Sequence, residues 1–234
     1  MPPVTTEQGQ RPAAAEAEKR VAAEAAAAMV EDGMTVGLGT GTTVAHLLRA
    51  IAARSPRVRC VATSPRTEEA ARRLGIAVEP FGSVDRFDLA IDGADQVAPD
   101  GWLVKGGGAA HTREKVVAAT ADRFVVVVDS SKPVDCLRPP VPLELLAYGL
   151  ASTLRRLGGP GSAVLRSGTG VSPDGGVIAD FVGLVDDPAG LARWLSATPG
   201  VTEHGLFPPE LVWAVVVGRG HEAEWIRFPR GSPS

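Results

Sequence analysis

The chain has only two cysteines, Cys60 and Cys136, and each stands alone, outside any CxxC pair or metal-ligand spacing. That excludes a disulfide framework and a zinc site, and it suits a reducing, cytoplasmic compartment. An excess of positive charge is also missing. Lys and Arg number 24 against 27 Asp and Glu, for a formal net charge of −3, so the chain as a whole has no attraction to nucleic acid. Aromatic residues are only 5% of the composition, and no basic stripe carries interleaved aromatics. No apolar run is long enough to span a bilayer. The opening stretch, to about Arg11, is rich in Pro, Thr, Gln and Glu and has no apolar leader segment; it is expected to be a disordered tail over about residues 1–12. Neither a membrane nor a nucleic acid is expected as a partner. The four histidines include no pair at ligand spacing.

Hydrophobic residues are plentiful, at 44% of 234 positions, enough for one large or two modest domains. Ala and Glu dominate from about 13 to 30 and favour a helix that Asp32-Gly33 ends. Short apolar runs then alternate with helical stretches. Strands are expected over 34–38, 58–62, 77–79, 87–91 and 124–128, and helices from near Val44, over 67–74 and over 113–121. Leu103-Val104 leads into a glycine loop. Continuous apolar strands alternating with helices predict an α/β fold, a parallel sheet covered on both faces. The motif loops are expected at the carboxyl ends of such strands, where ligands bind. After Pro139-Pro140 the order becomes strand 141–144, helix 145–157, strands 163–166 and 177–182, helix 188–197 and strand 201–206. The turn Ser172-Pro173-Asp174-Gly175-Gly176 joins the middle strands. This β-α-β-β-α-β order is that of a split βαβ, ferredoxin-like α+β unit, expected as a small domain at 139–210. The larger domain then takes 1–138 and 211–234, with 213–217 returning to the first sheet.

Gly37-Leu38-Gly39-Thr40-Gly41-Thr42-Thr43 fails the dinucleotide fingerprint, because Thr42 sits where the third glycine belongs, and it lacks the Walker lysine. It remains either a tight strand-to-helix turn or a phosphate cradle at a helix N-terminus. Thr63-Ser64-Pro65-Arg66-Thr67 is either helix capping or a second ligand-touching strand exit. Asp92-Gly93-Ala94-Asp95 is either an Asp-rich turn or a pair of carboxylates that accept hydrogen bonds from sugar hydroxyls. Lys105, followed by Gly106, Gly107 and Gly108, is a solvated lysine or an electrophile that stabilises developing negative charge together with the exposed amides. Glu114 starts a helix favourably or serves as a general base. His111 has a supporting or solvent-facing position rather than a catalytic one.

Gly-Thr-Gly-Thr-Thr, Asp-Gly-Ala-Asp, Lys-Gly-Gly-Gly-Ala-Ala-x-Thr-Arg-Glu-Lys and Asp129-Ser130-Ser131-Lys132, in this order and spacing, resemble ribose-5-phosphate isomerase type A. The resemblance runs from Lys19 onward, including Pro142-Leu143-Glu144 and Gly205-Leu206-Phe207. It implies a Rossmann-like domain with a smaller α+β domain, a homodimer or homotetramer, no metal or organic cofactor, and a phosphorylated pentose as substrate. The implied reaction interconverts ribose 5-phosphate and ribulose 5-phosphate in the pentose phosphate pathway. Carried over by the resemblance, Glu114 moves the proton between C2 and C1 through a cis-enediolate. Lys105 and the amides of Gly106, Gly107 and Gly108 hold the oxyanion, and Asp92 and Asp95, with Gly93 and Ala94 between them, handle ring opening and hydroxyls. Thr40, Gly41, Thr42 and Thr43 bind substrate, with Lys132 and Lys19 completing the anion pocket. Three positions depart from the family pattern: Gln96 for a common Glu, His111 for a usual Leu, and Thr42 for a usual Ser. Competing readings are a sugar-phosphate sensor without turnover and an aminosugar-phosphate deaminase or acyl-CoA transferase on a similar scaffold. Glu114 and Lys105 oppose the first, and the Lys-Gly-Gly-Gly to Glu stretch opposes the second.

Overall fold

The computed structural model describes residues 7–159, 162–168 and 171–228. In chain order its elements are α1 (Glu7–Ala27), β1 (Thr35–Leu38), α2 (Thr42–Arg54), β2 (Arg59–Ala62), α3 (Pro65–Arg73), β3 (Leu89–Asp92), β4 (Gln96–Val97), β5 (Leu103–Val104), α4 (His111–Thr120) and β6 (Phe124–Asp129). There follow β7 (Val141–Leu145), α5 (Leu150–Arg156), β8 (Ala163–Leu165), β9 (Val177–Phe181), α6 (Pro188–Ala197), β10 (Val201–His204), β11 (Leu206–Phe207), β12 (Val212–Arg219) and β13 (Glu222–Ile226). Among the described residues, no helix is long and apolar enough to cross a membrane.

The main sheet has the order β13-β12-β6-β3-β1-β2. Its neighbours run parallel except for the edge strand β13, which forms an antiparallel hairpin with β12. Every residue of β6 is buried, as a central strand with helices on both sides requires. Because successive side chains point to opposite faces, Val125 and Val127 join the core beneath α1 and α2, while Val126 and Val128 join Val117 and Ala118 of α4 on the other face. The second sheet is antiparallel, of order β10-β7-β9-β8. It is the ferredoxin-like arrangement, with α5 and α6 as its two helices. The architecture is therefore a Rossmann-like α/β sheet with a smaller α+β unit.

Several expectations change. The expected tail extends to about residue 12, but α1 begins at Glu7. Glu, Gln and Arg favour helix as readily as they favour a solvated tail, so composition does not separate the two. The part of that expectation on residues 1–6 lies outside the described residues. The strand expected over 77–79 is reduced to one parallel bridge, Cys60 to Val78. The helix expected over 145–157 shortens to α5, because Leu145 still pairs in β7 with Val177 and Val201.

The largest departure is a third sheet, of order β11-β5-β4. The strand expected over 201–206 divides at Gly205, leaving β10 in the small sheet and β11 paired with β5. The glycine loop that follows β5 therefore leaves this antiparallel ribbon and not the parallel sheet. The loops after β1, β2 and β3 do leave parallel strands. Gly205 is the joint between the two smaller sheets. It accepts from the Lys105 amide at 2.8 Å and donates to the Pro142 carbonyl at 2.7 Å, and a Cβ there would stand 2.1 Å from the Lys105 carbonyl oxygen.

Gly205→Ala has no space to relax without moving backbone. It should lower the unfolding free energy by about 1–3 kcal/mol, read from the urea midpoint; an unchanged midpoint would show that the joint yields.

Candidate active site

The loop after β1 brings the chain against the end of β3 so closely that no side chain fits at Gly39. A Cβ there would lie 1.9 Å from the Asp92 carboxyl carbon. This contact lets the Thr40 amide donate to Asp92 Oδ1 at 2.9 Å. Helix α2 then starts at Thr42 with Gly41 as its N-cap, and no side chain caps it. Its first amides and the positive end of its dipole face the cleft without a side-chain acceptor. Lys19 of α1 and Lys132, after β6, line the same cleft. Lys19 also donates to Glu16 at 2.7 Å.

Asp92 is buried where β3 ends, and each of its carboxylate oxygens meets donors. Oδ1 accepts from Thr40 and from the Gly93 amide at 2.7 Å, and Oδ2 accepts from Lys105 Nζ at 2.8 Å. Lys105 reaches Asp92 from the end of β5 and also donates to the Gly93 carbonyl. Its ammonium lies 3.1 Å from Glu114 Oε2 and 5.3 Å from the centre of the Phe207 ring. The side chains of Lys105 and Glu114 are only 3% and 5% exposed, so this is a buried carboxylate–ammonium–carboxylate chain. Asp95, on the cleft side, accepts from the Gly107 amide at 2.9 Å.

Counting formal charges, Asp92 and Glu114 place two negatives around one positive Lys105, with Asp95 nearby. The electrostatics follow from that imbalance. For Lys105, burial alone pulls the pKa down, but the charges of Asp92 and Glu114 outweigh it and hold the ammonium protonated, above the ordinary lysine value. For Glu114, burial and then the negative charge of Asp92 push the pKa up to about 8, against the pull of Lys105. A carboxyl poised there can both take and return a proton near neutral pH. Among the described residues, no group of three or more His, Cys, Asp or Glu side chains could hold a metal ion.

The cleft is about 200 Å³. Thr40, Gly41, Thr42 and Thr43 line it, with Gly93, Ala94 and Asp95. Lys105 to Gly108 and Glu114 also line it, as do Lys19 and Lys132. Asp92 does not line it; it stands behind Lys105 and acts on the cleft through that side chain and Thr40. The loop at 63–67 does not line it either. Thr63, Ser64 and Thr67 gather around the Thr40 hydroxyl at 2.9, 2.9 and 3.4 Å, and Ser64 caps α3 by accepting from the Thr67 amide at 3.2 Å.

Gln96 does not face the cleft. Its amide donates to the Arg138 carbonyl and accepts from the Arg138 amide, both at 2.8 Å, a two-way pairing that a carboxylate cannot make. His111 is completely buried, which removes the solvent-facing option; the Glu203 backbone lies near its ring, but neither ring nitrogen makes a hydrogen bond of normal geometry among the described residues. Burial, with the charge of Lys115, lowers its pKa to about 4, so the ring is neutral. One contact with the glycine loop had no signal in the sequence: Arg166 donates to the Gly106 carbonyl at 2.9 Å from 60 residues away, and no motif links the two.

The model describing ribose 5-phosphate isomerase A (phosphoriboisomerase A) matches residues 59–222. A second, for the DeoR C terminal sensor domain, matches residues 14–82 and stops before Asp92, Lys105 and Glu114. The chain is 48% identical over 198 residues to a ribose-5-phosphate isomerase A of Halobacterium salinarum, covering 81% of this chain and 87% of that protein. It is 41% identical to one of Lacticaseibacillus paracasei, covering 91% and 97%. Among solved structures, ribose 5-phosphate isomerase A of Neisseria gonorrhoeae superposes with a TM-score of 0.85 at 31% identity, covering 91% and 96% of the two chains. A ribose-5-phosphate isomerase in complex with phospho-erythronic acid gives 0.85 at 32%, covering 91% and 99%.

The raised Glu114 pKa is open to direct measurement. Carboxyl infrared difference spectra should show one group ionising as pH rises through about 8, absent in Glu114→Gln. Since the native pKa lies above the unfolded value of 4.5, this group's stabilising contribution is full below about pH 4.5 and is lost as pH rises through about 8. Ionisation in the ordinary carboxylate range would contradict the charge imbalance described above.

Proposed function

The chain belongs to the ribose 5-phosphate isomerase A family, and we infer from its site that it interconverts D-ribose 5-phosphate and D-ribulose 5-phosphate by proton transfer through a cis-enediolate. The observation that carries this reading is the buried Lys105 ammonium 3.1 Å from Glu114 and 2.8 Å from Asp92, in a cleft that Lys19, Lys132 and the uncapped N-terminus of α2 also line.

The steps follow from these groups. The phosphate is held at the α2 N-terminus by the amides and hydroxyls of Thr42 and Thr43, with Lys132 and Lys19 adding positive charge. Asp92 and Asp95 serve ring opening and the sugar hydroxyls, Asp95 directly and Asp92 through the groups it orients. In the open aldose, Glu114 removes the C2 proton as base, and negative charge moves to O1. Lys105 and the amides of Gly106, Gly107 and Gly108 stabilise that oxyanion in a site with little water. Transfer of the O2 proton to O1 and return of the Glu114 proton to C1 complete the ketose and leave Glu114 ionised as it began. Glu114 is suited to both directions because its raised pKa makes neither the acid nor the base form costly near neutrality. Phospho-erythronic acid, found in complex with one structural relative, fits the same reasoning: it is a phosphorylated sugar acid whose carboxylate carries negative charge at the end where the enediolate would carry it.

The proposal extends to the enzyme's setting and organisation. It is a cytoplasmic enzyme of the pentose phosphate pathway, assembled as a homodimer or homotetramer, with neither nucleic acid nor membrane as partner. Two free cysteines support the compartment. Exposed apolar side chains on and around the small sheet support assembly, Tyr148 at 94% and Leu184 at 78% exposure foremost. Among the described residues, those before 139 and after 210 make up the catalytic domain and those between make up the small domain, a division supported by the separate antiparallel sheet, with β11 reaching across to pair with β5.

Purified protein incubated with ribose 5-phosphate and a chelator in heavy water should form ketose and carry solvent deuterium at the transferred position. Partial incorporation fits, because a buried carboxylate can return its proton before exchange. Complete retention of the substrate hydrogen, with activity lost on chelation and rescued by a divalent metal, would overturn proton transfer by Glu114.

Glu114→Gln keeps the shape of the side chain and removes the base. It should lower kcat by at least about 10²-fold while ribose 5-phosphate still binds, measured by calorimetry. Near-normal turnover would remove Glu114 from the role of base.

A further inference from the structure

We propose that Arg166, held by Asp180, is a positioning residue for the reaction: it orients the peptide planes that follow Gly106 and Gly107 so that the Gly107 and Gly108 amides face the cleft. The proposal rests on the isomerase reading above.

Arg166 follows β8 and continues its ladder, its amide donating to the Ile178 carbonyl at 3.0 Å. Nε donates to Asp180 Oδ2 at 2.9 Å, and Nη2 donates to Oδ1. This fork-to-fork pairing fixes the plane of the guanidinium. Both side chains are largely buried, at 16% and 20% exposure. The remaining terminal nitrogen, Nη1, points out of the small sheet and donates to the carbonyls of Gly106 and Gly107, at 2.9 and 3.3 Å.

In a trans peptide the carbonyl and the following amide point in opposite directions. Drawing the Gly106 carbonyl towards Arg166 therefore turns the Gly107 amide away from it. That amide does meet Asp95 Oδ2, on the cleft side, at 2.9 Å. The same rule applied to the Gly107 carbonyl directs the Gly108 amide towards the cleft. Consecutive glycines have little steric preference among backbone conformations, so the loop's orientation has to be imposed from outside it. Asp95 holds it from one side and Arg166 from the other. Arg166 is not among the residues lining the cleft, so its effect passes through the loop backbone. An arginine suits this position because a rigid fork can bind a carboxylate and still present a donor to the carbonyls, whereas a lysine ammonium cannot fix the same plane.

The test measures kcat, KM and the inhibition constant of phospho-erythronic acid for wild type, Arg166→Ala, Arg166→Lys and Asp180→Asn, with active-site concentration determined for each. Misaligned oxyanion donors should lower kcat by about 10–100-fold in Arg166→Ala, with KM within about threefold, since the phosphate end is untouched. Arg166→Lys and Asp180→Asn should fall between wild type and Arg166→Ala, and they carry the test if Arg166→Ala fails to fold. Affinity for phospho-erythronic acid should fall in proportion to kcat/KM across the series, and millimolar guanidinium should restore part of the lost kcat in Arg166→Ala alone. A merely structural arginine would change the number of active molecules and leave the inhibition constant where it was. Wild-type kcat in folded Arg166→Lys and Asp180→Asn, a loss confined to KM, or a loss of kcat with unchanged inhibitor affinity would overturn the proposal. Wild-type protein without turnover would instead refute the isomerase reading itself.

Discussion

The ammonium of Lys105, buried between Asp92 and Glu114, is the interaction on which the rest of the site depends. A charge so removed from water is tolerated only when it is paired and hydrogen-bonded. Here the pairing is unequal, one cation for two carboxyls, and that inequality produces the chemistry. Lys105 stays charged. Asp92 is saturated by two backbone amides and the lysine, and Glu114 is the group left to resolve the excess by holding a proton more readily than an ordinary glutamate.

The scaffold can be understood as the means of holding that arrangement. Asp92 comes from the end of a parallel strand buried along its whole length in the interior of the larger sheet. Lys105 comes from the narrow ribbon of β4, β5 and β11, and Glu114 from the first turn of α4, so three elements meet at one buried point. Phe207 of β11 lies beneath both Lys105 and Lys115, with ring centres 5.3 and 5.0 Å from the two ammonium groups. The ribbon is continuous through Gly205 with the small sheet. Its short strands are therefore held between two larger bodies, although alone they would be too small to stay folded. The glycine loop after β5 is the least constrained part of the machinery, and it is also where the small sheet reaches in through Arg166.

Two of the departures noted in the sequence change meaning in this setting. Gln96 stands beside the Asp-Gly-Ala-Asp loop in sequence, but its side chain pairs with the Arg138 backbone and does not line the cleft. It adds no charge to the site and loses none from it. His111, next to the loop and completely buried, has a neutral ring packed close to Gly106, occupying an apolar position as a shape and not as a base.

Elements with strong periodicity and loops with unusual chemistry were legible in the order of residues. Continuous valine runs such as 124–128 can only be buried central strands, and the β-α-β-β-α-β order after Pro140 admits few topologies. Glycines beside threonines, aspartates and a lysine named the residues that line the cleft, because such loops are local in sequence and their chemistry is legible residue by residue. The tertiary structure alone decided what depends on distance: the third sheet, whose two-residue strands have no periodicity to read; the division of 201–206 at Gly205, forced by a backbone contact with Lys105; and the position of Asp92 behind Lys105. It also decided the strength of Glu114 as a base, since a pKa is set by burial and by neighbouring charges in space, neither of which is a property of sequence order. The reach of Arg166 to Gly106 belongs with these, for hydrogen bonds between segments 60 residues apart leave no periodic trace in either one.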